Sequence, residues 1–575
     1  MSITRPVRAL LALPAAAAIA CGGTNPAPVS APVPPAGAGV PAPITHPAPP
    51  LPPVPEVDGP LAIKVVYPTA NQVVTSRDSN FIFGSVGSGR ATLTVNGVPA
   101  RVYPNGAWMA WLPNPPASGL TPVPTAAAGT AAPAPFPTAS YDIVATKGAE
   151  SVRATHVIRY PAKPVAEVVP PPANKPENLA TSRADTIAAL GARVDSLRGV
   201  LQRDQVIGYV QLGQPSAADT DRTIIGKPVP GGTYKWFFAP GTVMPLVGRT
   251  GGSYRLRLDR DLDVYVDSTE GTLLAGDTPA PVRVTSNIKV RPAPYGEDVV
   301  IPMGGRAPYF VEETERGLRV TLYGVRANTD LVNYAAGDTL IRSVEWAQQS
   351  NERAVVTVNL RSAPYGYLVL WDRNAMVLRV RGRPAIDRDH PLRGLVIAVD
   401  PGHPPIGATG PTGLWEPRAT LPIGERLRTI LAERGARVVM TRTTDSAVAL
   451  GDRPIIARRA NVNAFISIHL NAYGDGTNPF VSPGTGTYFF RTQSEPLARE
   501  VQRGMVARMG LWDLGVNYDN LAVVRGTWYP AILCEGAFII LPDQEAALRT
   551  PEFQDRYARG VADGVEAYFR ALPSR

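Results

Sequence analysis

Two histidines and two glutamates, three of them placed just after short apolar runs, carry the chemistry open to this sequence. Leu395-Val396-Ile397-Ala398-Val399 leads into Asp400-Pro401-Gly402-His403, and Ala464-Phe465-Ile466-Ser467-Ile468 leads into His469-Leu470-Asn471-Ala472. A third run, Ala531-Ile532-Leu533-Cys534, leads into Glu535-Gly536. Imidazole nitrogens and carboxylate oxygens suit zinc, which in catalytic sites takes three protein ligands and keeps one position for water. His403 and His469 supply two imidazoles. A third ligand could be Glu416, because Pro417 suits the first turn of a helix and sets Glu416 at its N-terminal end. Glu535 is the remaining carboxylate at a strand end, placed to take a proton from water and hand it to a leaving group. Each residue also has a plainer reading. A buried histidine is usually a hydrogen-bonded core residue, and an acid at a helix start is favoured by the dipole alone. Four such groups converging weigh towards a metal-dependent enzyme.

The elements that must position them follow from the pattern. Short β-branched runs bounded by Gly and Pro read as buried strands, with amphipathic helical stretches between them. That alternation implies an α/β domain, a twisted, mostly parallel sheet with flanking helices, spanning 394–573. Ligands gather at the carboxyl ends of strands in such sheets, where the three clusters fall. Asp400 would orient His403 or serve as a strand-end turn residue. Asn471 would hydrogen-bond near the metal or cap a turn. Arg442 would meet a substrate carboxylate or, more simply, form a structural ion pair. Cys534 should face away from Glu535, since side chains alternate along a strand, and so should pack.

The chain has 575 residues, room for about four domains. Its 61 prolines are clumped, which marks linkers. The formal charge of +9 comes from scattered arginines without a dense basic run. A solvated basic surface follows, with no nucleic-acid partner expected, and an anionic polymer is permitted. Arg5 and Arg8 precede an apolar stretch, Ala9 to Ala20, far shorter than the roughly 20 residues that span a bilayer. Residues 1–21 therefore read as a signal peptide. The ending Ala18-Ile19-Ala20-Cys21-Gly22 resembles a bacterial lipoprotein signal, which implies membrane anchoring through a lipidated Cys21 and leaves Cys534 unpaired.

Residues 22–58 form a Pro-rich tether. From 59 to 160 the pattern is β, with turn signals at Asn96-Gly97 and Asn105-Gly106, and is read as an immunoglobulin-like sandwich. Trp108 and Trp111 there are either a sugar platform or core. A linker over 161–181 precedes a helix at 182–205, whose Ile187, Leu190, Val194, Leu197 and Leu201 make a short heptad seam. Residues 206–274 resemble a small Src-homology-3-like barrel. Residues 275–385 are a third β module, and the order of its strands, Gly317 to Tyr323, Ala354 to Leu360 and Met376 to Val380, resembles the AMIN domain, an envelope-targeting module. The fold class is thus multidomain: all-β modules followed by an α/β catalytic domain.

Five motifs in order, Asp400-Pro401-Gly402-His403, Gly407-Ala408 with Glu416, Thr441-Arg442, Ser467 to Ala472, and Glu535-Gly536-Ala537-Phe538, resemble the zinc-dependent type-3 family of N-acetylmuramoyl-L-alanine amidases. The resemblance covers 394–573. It implies one Zn2+ held by His403, Glu416 and His469, with Glu535 as catalytic acid/base. It implies peptidoglycan as the partner, cut between N-acetylmuramic acid and L-alanine, at the periplasmic side of the cell envelope. Activator or divisome partners are not specified. Two departures stand out. Pro404-Pro405 follow the first histidine where glycines are usual, which should stiffen the metal loop. Ile539-Ile540-Leu541 stand where a polar pair is commoner, so an altered substrate rim is expected. The stretch from Tyr488 to Leu521 leaves no room for the long inhibitory helix of some relatives.

Overall fold

A computed structural model describes residues 50–76, 78–117, 119–120, 136–161, 205–215 and 223–573. The signal stretch with Cys21, the tether up to residue 49, the linker beyond residue 161 and the heptad helix lie outside the described residues.

Six runs between 396 and 538 pair into one sheet: β1 (Val396–Pro401), β2 (Arg437–Met440), β3 (Ala464–Asn471), β4 (Gly484–Phe489), β5 (Trp512–Tyr518) and β6 (Ala531–Phe538). Their order is β2-β1-β3-β6-β4-β5. Neighbours run parallel except at the β6–β4 step, which is antiparallel. Helices α1 (Glu416–Glu433), α2 (Asp452–Arg459), α3 (Glu495–Met509), α4 (Pro542–Leu548) and α5 (Pro551–Ala571) flank it. β3 and β6 are buried along their whole length, and this is why they read as unbroken apolar runs with little alternation. α3 and α5 cross so closely that a Cβ on Gly504 would sit 2.2 Å from the carbonyl oxygen of Gly560. Only glycine fits there. No described helix is long and apolar enough to cross a membrane.

Residues 58–160 form a single continuous eight-stranded antiparallel sheet in place of two separate sheets, because strand Val98–Val102 pairs with strands on both sides of the fold. Its middle is two-faced. In strands Ser79–Ser85 and Ala107–Pro113, Ile82, Trp108, Ala110 and Leu112 point into the module's own core. The alternate residues Phe81, Phe83 and Met109 belong to the core of the C-terminal domain instead, and Trp111 packs against it. Both tryptophans are packing residues.

Residues 208–273 make a five-stranded antiparallel sheet and a two-stranded one around Trp236, Phe238, Leu256 and Val264. Residues 288–381 make two sheets, of five and four strands, closed on one core that includes Val290, Val299, Val320, Val358 and Leu378. This module is fastened to the lower, N-terminal edge of the C-terminal sheet. Arg381 donates to the carbonyls of Val462 (2.7 Å) and Trp528 (2.9 Å), and its guanidinium lies 4.9 Å from the Trp528 ring. The Tyr365 hydroxyl donates to Asn463 O at 2.6 Å, and Tyr367 N–H to Thr527 O at 2.8 Å.

Candidate metal centre

Because β1, β3 and β6 are parallel neighbours, their carboxyl ends emerge at one edge of the sheet, and His469 and Glu535 are register partners there. The structure brings His403, Glu416 and His469 together, with one ligand atom from each lying within 4.8 Å of the others. His403 Nε2 lies 3.2 Å from Glu416 Oε2, and His469 Nδ1 lies 3.3 Å from Glu416 Oε1. Two imidazole nitrogens and a carboxylate oxygen are the donor types of a catalytic zinc site, and they lie close enough together to face one ion. The Glu416 carboxylate is fixed by two backbone amides, Ala408 N–H and Leu470 N–H, each at 3.0 Å. Burial alone would push its pKa up. Hydrogen bonds to the two imidazoles outweigh that and hold it far below the usual carboxylate range.

Glu535 is 2% exposed, and its Oε2 has no hydrogen-bond partner among the described residues. A buried carboxylate oxygen left bare is costly, which marks it as a group kept for something other than stability. Burial pushes its pKa well above the ordinary value, and the Glu416 carboxylate pushes it further. Cys534 sits on the other face of β6, in the apolar core, where burial drives its thiol pKa far up. A neutral packed thiol is not a metal ligand.

Small residues make the space. A Cβ on Gly402 would lie 2.6 Å from the His469 ring, and one on Gly536 would lie 2.3 Å from the Tyr557 ring. The Tyr557 hydroxyl in turn donates to Cys534 O (2.8 Å) and reaches His469 O (3.2 Å), tying β3 to β6 at the level of the site.

The His403 loop is held by two buried arginines. Arg442 donates to the carbonyls of Pro401 (2.8 Å), Gly402 (3.0 Å) and Pro417 (2.9 Å). It is therefore committed to backbone and is not presented to a substrate. Arg453 donates to His403 O (3.0 Å), Pro404 O (3.2 Å) and the Asp400 carboxylate (2.7 Å). Asp400 also accepts from Ser467 Oγ (2.7 Å) and Thr441 Oγ1 (2.5 Å). Asp400 thus steadies His403 through Arg453 and the loop backbone, without a bond to the imidazole. Asn471 offers its carbonyl to Ile539 N–H at 3.1 Å.

Arg453 and Glu545 escaped sequence reasoning. Arg453 left one signal: a cation in the first turn of α2, where the helix dipole disfavours it. Glu545 left none, since an acid in the first turn of α4 is ordinary. It is fully buried and accepts from Thr412 N–H (2.9 Å) and Leu414 N–H (3.0 Å), fixing the loop that delivers Glu416. Ile539, Ile540 and Leu541 are buried in the domain core. They are not a substrate rim.

Residues 397–567 match the family described as N-acetylmuramoyl-L-alanine amidase. The N-acetylmuramoyl-L-alanine amidase LytC of Bacillus subtilis (strain 168) is 33% identical over 187 residues, 32% of this chain and 37% of LytC. The sporulation-specific N-acetylmuramoyl-L-alanine amidase of the same strain is 34% identical over 178 residues, 30% of this chain and 68% of that protein. This chain belongs to the N-acetylmuramoyl-L-alanine amidase family. The probable cell wall amidase LytH of Staphylococcus epidermidis (strain RP62A) is 32% identical over 184 residues, 31% of this chain and 60% of LytH. The chain therefore spans 37% and 60% of the lengths of LytC and LytH. Among solved structures, the amidase AmiC2 of Nostoc punctiforme aligns over 30% of this chain and 96% of its own, at 32% identity and a TM-score of 0.29. The amidase match runs from β1 into α5, taking in all four site residues together with Arg453 and Glu545.

Proposed function

We propose that this chain is a zinc-dependent peptidoglycan hydrolase that cleaves the amide between the lactyl group of N-acetylmuramic acid and L-alanine of the stem peptide. The observation that carries the reading is the His403–Glu416–His469 cluster beside a buried Glu535 whose Oε2 is bare, within a chain of the amidase family. His403, Glu416 and His469 would hold the ion, and zinc there supplies a Lewis acid that acidifies water and polarises a carbonyl. Glu535 takes the proton from the attacking water and delivers it to the departing amine nitrogen, so that the C–N bond breaks into a lactyl carboxylic acid and a free alanine amino group. Its raised pKa suits a group that must hold that proton between the two transfers. The ionised Glu416, gripped by two amides, stays an acceptor throughout.

The chain's place is read from its sequence: an envelope protein on the periplasmic side, anchored through lipidated Cys21, with the 275–385 module acting as an AMIN-like wall-targeting unit. Peptidoglycan is the partner. The test pairs wild type with Glu535→Ala on purified peptidoglycan, with metal content measured on both. Release of intact stem peptides bearing a free L-alanine amino terminus by wild type, lost by at least a hundredfold in a variant that keeps its zinc, is the expected result. Equal, near-zero release by both makes the chain a wall binder. Products cut within the stem make it a peptidase.

A further inference from the structure

The loop that follows β3 is anchored from a distant part of the sequence. Asp475 lies six residues past His469, and each hydrogen bond described at its carboxylate comes from residues 67–80. Thr75 N–H (2.9 Å) and Thr75 Oγ1 (3.1 Å) donate to Oδ2, and Asn80 Nδ2 (3.1 Å) and the Tyr67 hydroxyl donate to Oδ1. Asn80 returns a bond, its Oδ1 accepting from Gly476 N–H at 3.1 Å. Gly476 has φ +79°, and a Cβ there would stand 3.0 Å from Ser76 Cβ, so the two segments approach closely at this point. Beneath this polar clasp Tyr67 stacks on Phe81 (4.9 Å) and Phe83 (5.7 Å), the outward residues that share a core with Ile539, Ile540 and Leu541. The same module reaches the loop before Glu416, where Lys64 Nζ lies 3.8 Å from the position of a Cβ on Gly413. It also packs strand Ala107–Pro113 against α4. Residues 64–113 therefore meet the loop after His469, the loop before Glu416 and the helix that follows Glu535.

From Asp475 the loop runs on to Phe480 and Val481, which are 48% and 69% exposed. Its two ends are tied together by the Tyr473 hydroxyl, which donates to Ser482 O at 2.9 Å. Phe480 and Val481 thus form an exposed apolar tip on the loop that leaves the strand carrying His469.

We propose that the 58–160 module is a built-in part of the substrate-binding unit, and that Asp475 is the positioning residue through which it sets the 473–483 loop as one wall of the substrate groove. This rests on the amidase reading for its substrate, while the clasp itself does not. Metal binding should be independent of it, because His403, Glu416 and His469 are held from within the C-terminal domain by Arg442, Arg453 and Glu545.

The experiment uses the full chain with Asp475→Ala, and with Tyr67→Phe as a milder variant that keeps the ring stack. Amide hydrogen exchange over 473–483, zinc affinity, and kcat and KM on soluble disaccharide-peptide fragments of peptidoglycan are measured. Exchange in that loop should quicken at least tenfold in Asp475→Ala, and KM should rise by about tenfold, with kcat and zinc affinity within twofold of wild type. Tyr67→Phe should move the same two quantities in the same direction by less. Unchanged exchange in the loop overturns the clasp. So does a parallel fall of kcat, zinc affinity and KM-dependent binding, which would mean general loosening. If wild type releases no stem peptide, the amidase reading fails, and the exchange measurement still decides whether the module sets the loop.

Discussion

A carboxyl group kept away from water and beside another carboxylate pays a penalty that depends on pH, and Glu535 gives a way to read it. Its folded pKa is raised first by burial and then by Glu416. For an acid whose folded pKa lies above its unfolded value of about 4.3, folding is favoured while the proton stays on and loses ground as pH rises through the window between the two values. In metal-free protein, wild type should therefore lose stability relative to Glu535→Gln, which has no proton to give up, as pH rises above the unfolded value. Urea unfolding of both proteins in chelator at pH 4.5 and pH 8 checks this. Wild type should be the less stable at pH 8, with the gap closing at pH 4.5, and a pH-independent gap would count against it. Added zinc should shrink the difference, since a nearby cation favours the ionised carboxyl. His403, Glu416, His469 and Glu535 were legible because strand ends advertise their polar residues. Arg442 and Arg453 were harder to read, because they act on backbone carbonyls, and no residue type announces which carbonyl it will meet; Asp400 acts through Arg453.

At the scale of elements, the metal loops are tensioned from behind. Glu545 on α4 accepts two amides of the 412–414 stretch, although the two segments are more than 130 residues apart. Removing it as Glu545→Ala leaves those N–H groups without their acceptor and frees the chain that presents Glu416. Zinc affinity should fall by roughly tenfold or more, in keeping with the loss of other supports behind metal ligands. Competition against a chromophoric chelator measures it, and wild-type affinity would deny Glu545 that role. The alternation of strands and helices between 394 and 573 was readable, but the antiparallel β6–β4 step was not, since periodicity gives strands without directions. The run Phe81-Ile82-Phe83 did hold a clue. Consecutive large apolar residues in a strand mean burial on both faces. In the sequence it read as an ordinary sandwich strand, because its second partner lies some 400 residues downstream.

The whole molecule is bound together at two opposite edges of one sheet. At the upper edge the 58–160 module covers the site loops, and at the lower edge the 288–381 module is pinned by Arg381. Replacing Arg381 with Met keeps its bulk and leaves two buried carbonyls unpaired, at a cost of about 1–3 kcal/mol each. Chemical unfolding followed by tryptophan fluorescence should change from one transition in wild type to two in Arg381→Met. A single transition at an unchanged midpoint would show that the two modules are not coupled through this residue. Proline-rich borders made the modules countable in the sequence. How they lean on one another was hidden, because each contact joins a few residues from far-apart stretches with no local signature.

The doubled role of strands Ser79–Ser85 and Ala107–Pro113 bears on how such an enzyme can be handled. Severing the chain near Gly394 would strip Ile539, Ile540 and Leu541 of their cover on one fragment and bare Phe81, Phe83 and Met109 on the other. Both pieces would present greasy faces to solvent. Precipitation or silence of a trimmed enzyme would then report a lost lining, and its catalytic groups could still be sound.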